Sequence, residues 1–363
     1  MTPPLADQTL RFQLDSYAEL ATHTAAPDVW RDWDVLADTT AAAPFLRPGW
    51  FRAWHRAYGQ GELQLLTVRR GNDLAGVLPL ELRGRATLST TNTHSPLFGP
   101  LATDPDAEWV LASQLVDQSG GRIELAYVDP TTSWFSALET ALALRGRRPF
   151  VDTVLRSPYV VLGDSDHAYP ARLSRRFAKE LRRCRRRLEE QGGVSVTLQT
   201  SVRGLDRALD EFVALESSGW KASAGTAIAS RDASRRFYAE IAEWAAQRGW
   251  LRLAFLRLDG KPIAAELDLE SAGRMYALKS GFDPEYRGFG PGQLLTRDCI
   301  ELACAAGLSS YEFLGTDEPY KMSWTDDTRE RVRVQAFPAG PRGRLQALSR
   351  RRIRPALRRL RRR

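Results

Sequence analysis

A chain of 363 residues, 43% hydrophobic and 26% charged, has material for two ordinary domains and too much apolar content for a disordered protein. No apolar run reaches the roughly 18 residues of a membrane-spanning helix, Met1 to Phe12 lacks the basic and apolar halves of a secretory signal, and Cys184, Cys299 and Cys304 have neither metal-ligand nor disulfide spacing. The formal charge of +8 is local, because residues 338–363 hold 11 arginines and no acid and leave the remaining chain at −3.

Phe51 to Tyr58 reads as a helix ended by Gly59 and Gly61. Leu63 to Val68 and Leu74 to Leu82 read as strands about a Gly71-Asn72-Asp73 turn. Glu108 to Ser119 is expected as helix, Arg122 to Val128 as extended chain, Trp134 to Arg145 as helix and Val151 to Leu162 as extended chain. The polar run Gly163-Asp164-Ser165-Asp166 marks a boundary, giving domains over 1–165 and 166–337 and a basic tail over 338–363.

Beyond the boundary, Leu173, Phe177, Leu181, Cys184 and Leu188 recur at helical spacing between Arg172 and Gln191. Nine of the 16 residues from Arg172 to Arg187 are Arg or Lys, either a solvated face or a clamp for phosphates or anionic lipid heads. The basic tail has the same two readings, a solubilising end or an attachment to anionic lipid or nucleic acid. Then follow a strand (Val194 to Gln199), a helix (Gly204 to Ser217), a loop (Ser218 to Ser230) and a helix (Ala233 to Gln247). Trp250 to Arg257 and Ile263 to Leu269 form a hairpin about Asp259-Gly260, and Met275 to Phe282 is the next strand. A helix from Pro291 to Ala306 and strands Leu308 to Leu314 and Arg331 to Phe337 complete the order.

The stretch Tyr286-Arg287-Gly288-Phe289-Gly290-Pro291-Gly292 joins that strand to that helix. Glycines admit close backbone approach, and the first N–H groups of a helix lack partners, so an anion such as a pyrophosphate is suited there. A glycine-rich turn that merely starts the helix has the same appearance. No acid closes a strand about 20 residues beyond the glycines, which argues against a dinucleotide site. His23, His55, His94 and His167 form no metal spacing, so no metal site is expected, and no Gly-x-Ser-x-Gly elbow supports a serine nucleophile.

Several motifs in order resemble the GNAT superfamily of acyl-CoA N-acyltransferases, and more narrowly its CelD/BcsL-type branch, related to the tandem-domain Fem transferases. They are Glu216-x-x-Gly219-Trp220-Lys221, Gly225-Thr226-Ala227-Ile228, Gly260 to Ala265, Gly281-Phe282-Asp283, the Arg287 to Gly292 loop, and Asp317 to Lys321 with Trp324. The likeness spans roughly Leu173 to Phe337. The first half, with Phe45 to Trp50 and Gly76 to Leu80, looks like the degenerate partner found in that branch. The resemblance implies an α/β (α+β) chain of two tandem GNAT-like domains, each a mixed, largely antiparallel sheet flanked by helices. It also implies acyl-CoA as co-substrate, with no cofactor permanently bound.

Lys279, Arg287, Gly288, Gly290, Gly292 and Gln293 would then contact coenzyme A, its thioester lying along Tyr276 to Ser280. An amine would attack the thioester directly, which needs a base, donors for the oxyanion and an acid for the thiolate. Glu266 is the first candidate for the base, Asp268 shares its face of the strand, and Tyr320 is the candidate acid. Glu216, Trp220, Lys221, Asp317 and Lys321 would shape the acceptor side. The expected setting is cytoplasmic, with peripheral contact at the inner membrane face, in envelope polysaccharide or lipid metabolism. An aminoacyl-tRNA donor and a non-catalytic scaffold for a membrane synthase are the alternatives.

Overall fold

The computed structural model describes residues 10–16, 29–163, 169–218, 232–341, 343 and 345–346. They fall into two compact units, one drawn from Met1–Phe51, Gly59–Val154 and Glu330–Arg363, the other from Arg52–Tyr58 and Leu155–Arg329. Neither unit is one continuous piece of chain.

In the first unit Leu10–Ser16 (β1) precedes Val29–Thr39 (α1) and the start of Pro48–Tyr58 (α2), whose residues from Arg52 belong to the second unit. Glu62–Arg70 (β2) and Asp73–Arg83 (β3) form the hairpin expected of the Gly71 turn, paired from Arg70 opposite Asp73 to Glu62 opposite Leu82. Gly71 sits there at φ +64°, where only glycine is at ease. β1 lies antiparallel along β2, and Ala86–Ser89 (β4) along β3. Leu101–Ala102 (β5) also pairs with β3. Pro105–Gln118 (α3) then crosses to Ile123–Val128 (β6), parallel to β4, and Ser133–Leu144 (α4) follows. A parallel step needs such a crossover. Leu66, Leu78 and Leu80 pack with Leu111 of α3 and Leu138 of α4, whereas Leu63, Leu65 and Val77 pack with Trp33 and Leu36 of α1. The sheet is thus covered on both faces, which is why β3 reads as a nearly unbroken apolar run.

Pro149–Val161 (β7) runs out of the first unit into the second. Arg175–Glu189 (α5), Val194–Gln199 (β8), Leu205–Ser218 (α6) and Asp232–Gln247 (α7) follow. Leu251–Leu258 (β9), Lys261–Ser271 (β10) and Arg274–Phe282 (β11) continue from β8 as an antiparallel meander. Pro291–Ala305 (α8) crosses to Ser310–Glu312 (β12), parallel to β11, and Pro319–Met322 (α9) and Thr328–Ala336 (β13) end the order. Leu181 and Leu188 of α5 and Leu294 and Ile300 of α8 share a core with Leu256, Ala264 and Met275 of the sheet. α6 lies across β10 and β11, and α7 on β9.

The closing strands explain the discontinuous units. β12 is flanked by β7, from Ser310 opposite Val161 to Glu312 opposite Tyr159. β6 is flanked by β13, from Val332 opposite Val128 to Ala336 opposite Ile123. Each unit therefore has antiparallel strands, a parallel step across a helix, and a last antiparallel strand taken from the far half of the chain. A linear division at 165 and 337 cuts elsewhere, because backbone pairing puts Leu155–Val161 with the second unit and the chain from Glu330 with the first. The expected helices and strands occur within a few residues of their predicted ends, and β1, α1, β4, β5 and α9 are additional. Among the described residues no helix is long and apolar enough to cross a membrane. Most of the arginine-rich run 338–363 lies outside them, as do Asp164-Ser165-Asp166.

Candidate active site

β11 ends at Phe282, and Asp283 caps a short 3-10 turn, Pro284–Phe289, by accepting from Glu285 N at 3.0 Å. The turn closes with Gly290 N donating to Arg287 O at 3.1 Å. Gly290 has φ +61° and ψ 44°, and it is also the N-cap of α8, where no side chain caps the helix. Pro291 has no N–H to satisfy, so the donors left at this end are those of Gly292 and Gln293. α5 supports the loop from behind. Arg187 donates to Gly288 O at 3.3 Å, and its guanidinium stands 5.2 Å over the Phe289 ring.

The helix end opens into a pocket of about 250 Å³. Arg287, Gly290, Gly292, Gln293, Glu216 and Tyr320 all line it. Gly281 explains how α6 reaches this wall. A β-carbon there would stand 2.4 Å from Glu216 Cα and 2.6 Å from Glu216 N, so only glycine lets the helix lie this close to β11. Glu216 is 1% exposed.

One edge of β11 is open. It pairs with β12 only from Arg274 to Tyr276, and no further pairing on that side is found among the described residues. The sequence suggests a longer β12, Leu308 to Leu314. The chain instead turns away after Glu312, with Leu314 at φ +55° and Gly315 at φ +62°. Lys321 holds that turn, donating to Leu314 O at 2.9 Å and Thr316 O at 3.3 Å and pairing with Glu318 at 2.7 Å. Its ammonium is thus engaged by the protein rather than presented to the pocket. Lys279, on β11, has its Nζ 5.7 Å from the Tyr238 ring centroid. Burial pushes its pKa down, Glu216 and Glu318 oppose that, and Lys321 adds to it.

Glu266 and Asp268 lie beneath the pocket, 3% and 1% exposed. Thr296, on α8 and in the pocket wall, donates to Glu266 Oε2 at 2.8 Å, and Tyr311 of β12 donates to Oε1. Asp268 and Cys299 complete the cluster, with ligand-type atoms of Glu266, Asp268 and Cys299 within 4.8 Å of one another. Burial raises the pKa of both carboxyls. Hydrogen bonds from Tyr311 and Thr296 oppose the rise at Glu266, and the Glu266 charge adds to it at Asp268.

Gln293 serves two purposes. Its backbone is at the helix end, while its side chain donates to Tyr320 O at 3.1 Å and accepts from Trp324 Nε1 at 2.6 Å. Gly288 and Asp317 are not in the wall, and Asp317 is exposed. Trp220, Lys221 and the Gly225 to Ile228 run lie outside the described residues. Sequence reasoning missed Thr296 and Tyr311, which carry no motif, and Ser280, which was placed on the thioester strand without a role.

The first unit has an equivalent helix, α3, but its N-terminus is closed. Asp104 accepts from Ala107 N at 3.0 Å and pairs with Arg70 at 2.9 Å. The Arg70 hydrogen bond leads in holding its pKa at about 2. A carboxylate of the chain itself occupies the place an anionic ligand would take.

Residues 175–322 match the family model for the acetyltransferase (GNAT) domain. That stretch carries the fold of a GNAT acetyltransferase domain. The structure of FemX is similar over 88% of this chain and 97% of its own, with a TM-score of 0.59 at 12% identity. A C-terminal domain assigned to a lysylphosphatidylglycerol synthetase of Agrobacterium fabrum is similar over 88% and 95%, with a TM-score of 0.51 at 14% identity. L-PGS from Bacillus licheniformis is similar over 81% and 92%, with a TM-score of 0.50 at 10% identity. At such identities the likeness is one of fold, and it extends over both units. No curated protein matches the chain in sequence.

Proposed function

We propose that the second GNAT-like unit transfers an acyl group from coenzyme A to an amine of envelope polysaccharide or lipid metabolism, in the manner of the CelD/BcsL branch. The observation that carries this reading is the uncapped N-terminus of α8, facing a pocket beside the open edge of β11. There the pyrophosphate accepts from Gly292 and Gln293 N–H, with Arg287 adding charge. The thioester extends along Tyr276 to Ser280, the strand whose backbone serves the ligand and the oxyanion. Glu216 attracts the acceptor's ammonium, and Tyr320, 45% exposed at the rim, donates a hydrogen bond to the leaving thiolate. We assign Lys279 and Gly288 to the donor, and Trp220, Lys221 and Asp317 to the acceptor. The arginine-rich end holds the protein against the anionic inner face of a membrane.

An aminoacyl-tRNA donor is the second reading, favoured by the exposed Arg175, Arg176, Lys179 and Arg182 of α5, the helix that supports the donor loop. Thermal unfolding with acetyl-CoA, a long-chain acyl-CoA and free coenzyme A tests the first. Ligand at 100 times its dissociation constant adds about 2.7 kcal/mol of stability. No shift in a folded sample would sink that reading, and salt-sensitive tRNA binding would then favour the second. A scaffold would bind neither.

A further inference from the structure

Two carboxyls in contact, both buried, cannot both be ionised without a cation to balance them. Among the described residues, the groups around this pair supply none. β10 gives Glu266 and Asp268, α8 gives Thr296 and Cys299, and β12 gives Tyr311. On β9, Ala254 stands opposite Glu266 and Arg252 opposite Asp268, but Arg252 is taken up by Glu270 at 2.7 Å. Asp298 of α8 and Tyr320 of α9 are the other titratable groups that feel the cluster, and neither is a cation. Both Glu266 oxygens accept from hydroxyls, as suits a carboxylate, whereas Asp268 Oδ1 has no hydrogen-bond partner among the described residues.

We propose that Glu266 and Asp268 share a single proton, and that the Thr296 hydroxyl connects this pair to the donor pocket as a proton relay. The inference rests on the acyltransferase reading above. As the N–C bond forms, an amine proton passes to Thr296 Oγ while the hydroxyl's own proton passes to Glu266 Oε2. As the C–S bond breaks, the expelled thiolate takes one proton back by the same route, and the pair returns to its single proton. Thr296 is the catalytic residue here, with Glu266 and Asp268 acting through it. The chemistry also explains how a carboxylate outside the pocket can serve as the base.

Infrared difference spectra of the full chain test this without knowledge of the acceptor. The wild type should keep a protonated-carboxyl band at neutral pH, and Asp268→Asn should lose it. Adding coenzyme A should shift the band in the wild type and in Thr296→Ser, but not in Thr296→Val, which keeps the shape and lacks the hydroxyl. Absence of the band at neutral pH, its persistence in Asp268→Asn, or a coenzyme A-induced shift that survives in Thr296→Val would overturn the proposal. A stoichiometric divalent metal in the purified protein would do so too, since a cation would then replace the proton. Failure of the wild type to bind coenzyme A would instead sink the donor reading, while the band in the unliganded protein would still decide whether the proton is shared.

Discussion

A β-carbon on Gly281 would overlap backbone atoms of Glu216, which cannot rotate aside. Gly281→Ala should therefore cost about 1–3 kcal/mol and move α6 off β11, weakening coenzyme A binding as well, as calorimetry and denaturant unfolding would show. Gly290 differs, because its nearest neighbour, Cys184 Sγ, would be 3.8 Å from an added β-carbon and only φ +61° stands in the way. Gly290→Ala should cost about 1–2 kcal/mol, and Gly290→Glu should unfold at nearly the same denaturant concentration as the alanine variant yet lose coenzyme A binding. Asp268 gives a pH test. Its folded pKa lies above the usual 3.8, so the folded chain binds the extra proton. That stability is complete below pH 3.8 and is lost as pH rises towards the folded value. The wild type should thus lose stability relative to Asp268→Asn from about pH 4 towards neutrality, and parallel curves would show an ordinary carboxyl. The geometry of the glycine loop was legible in the sequence because a positive φ and an uncapped helix end are local properties. The depth of Glu266 was not, since alternation says that two residues share a face and not what covers it. Thr296 looks like any small residue on the buried side of a helix.

Helix ends set the contrast between the two units. Asp104 closes α3, so Asp104→Ala should cost about 1 kcal/mol at neutral pH. With a folded pKa of about 2, below the usual 3.8, its contribution is present above pH 3.8 and fades as pH falls through 2. Wild type and variant should therefore converge in acid. α8 is joined to α9 and Trp324 by Gln293 alone among its first residues. Gln293→Ala would leave Trp324 Nε1, on a residue 2% exposed, without its acceptor, a loss of about 1–3 kcal/mol measurable by denaturant unfolding. Unchanged stability would mean that water replaces the glutamine. Long elements were readable from their periodicity, as with β2, β3 and α8. β4 and β5 are too short to show a period, and β12 looked too long because Leu314 hides a left-handed turn that depends on Lys321.

The exchange of closing strands acts on the whole molecule. A fragment of residues 166–337 lacks β7, whose Val160 pairs with Tyr311, the residue that donates to Glu266. Residues 155–337 should melt cooperatively by circular dichroism where 166–337 does not, and equal melting would show that β7 is dispensable. Synthesis on the ribosome feels the same exchange in time. The first unit needs Glu330 to Ala336, which emerge only after the intervening 175 or so residues have been made. At ~5–20 residues per second this is a wait of about 10–35 s with the edge of β6 uncovered. The half of the protein translated first is the half completed last, and it is there that a nascent chain would need a chaperone.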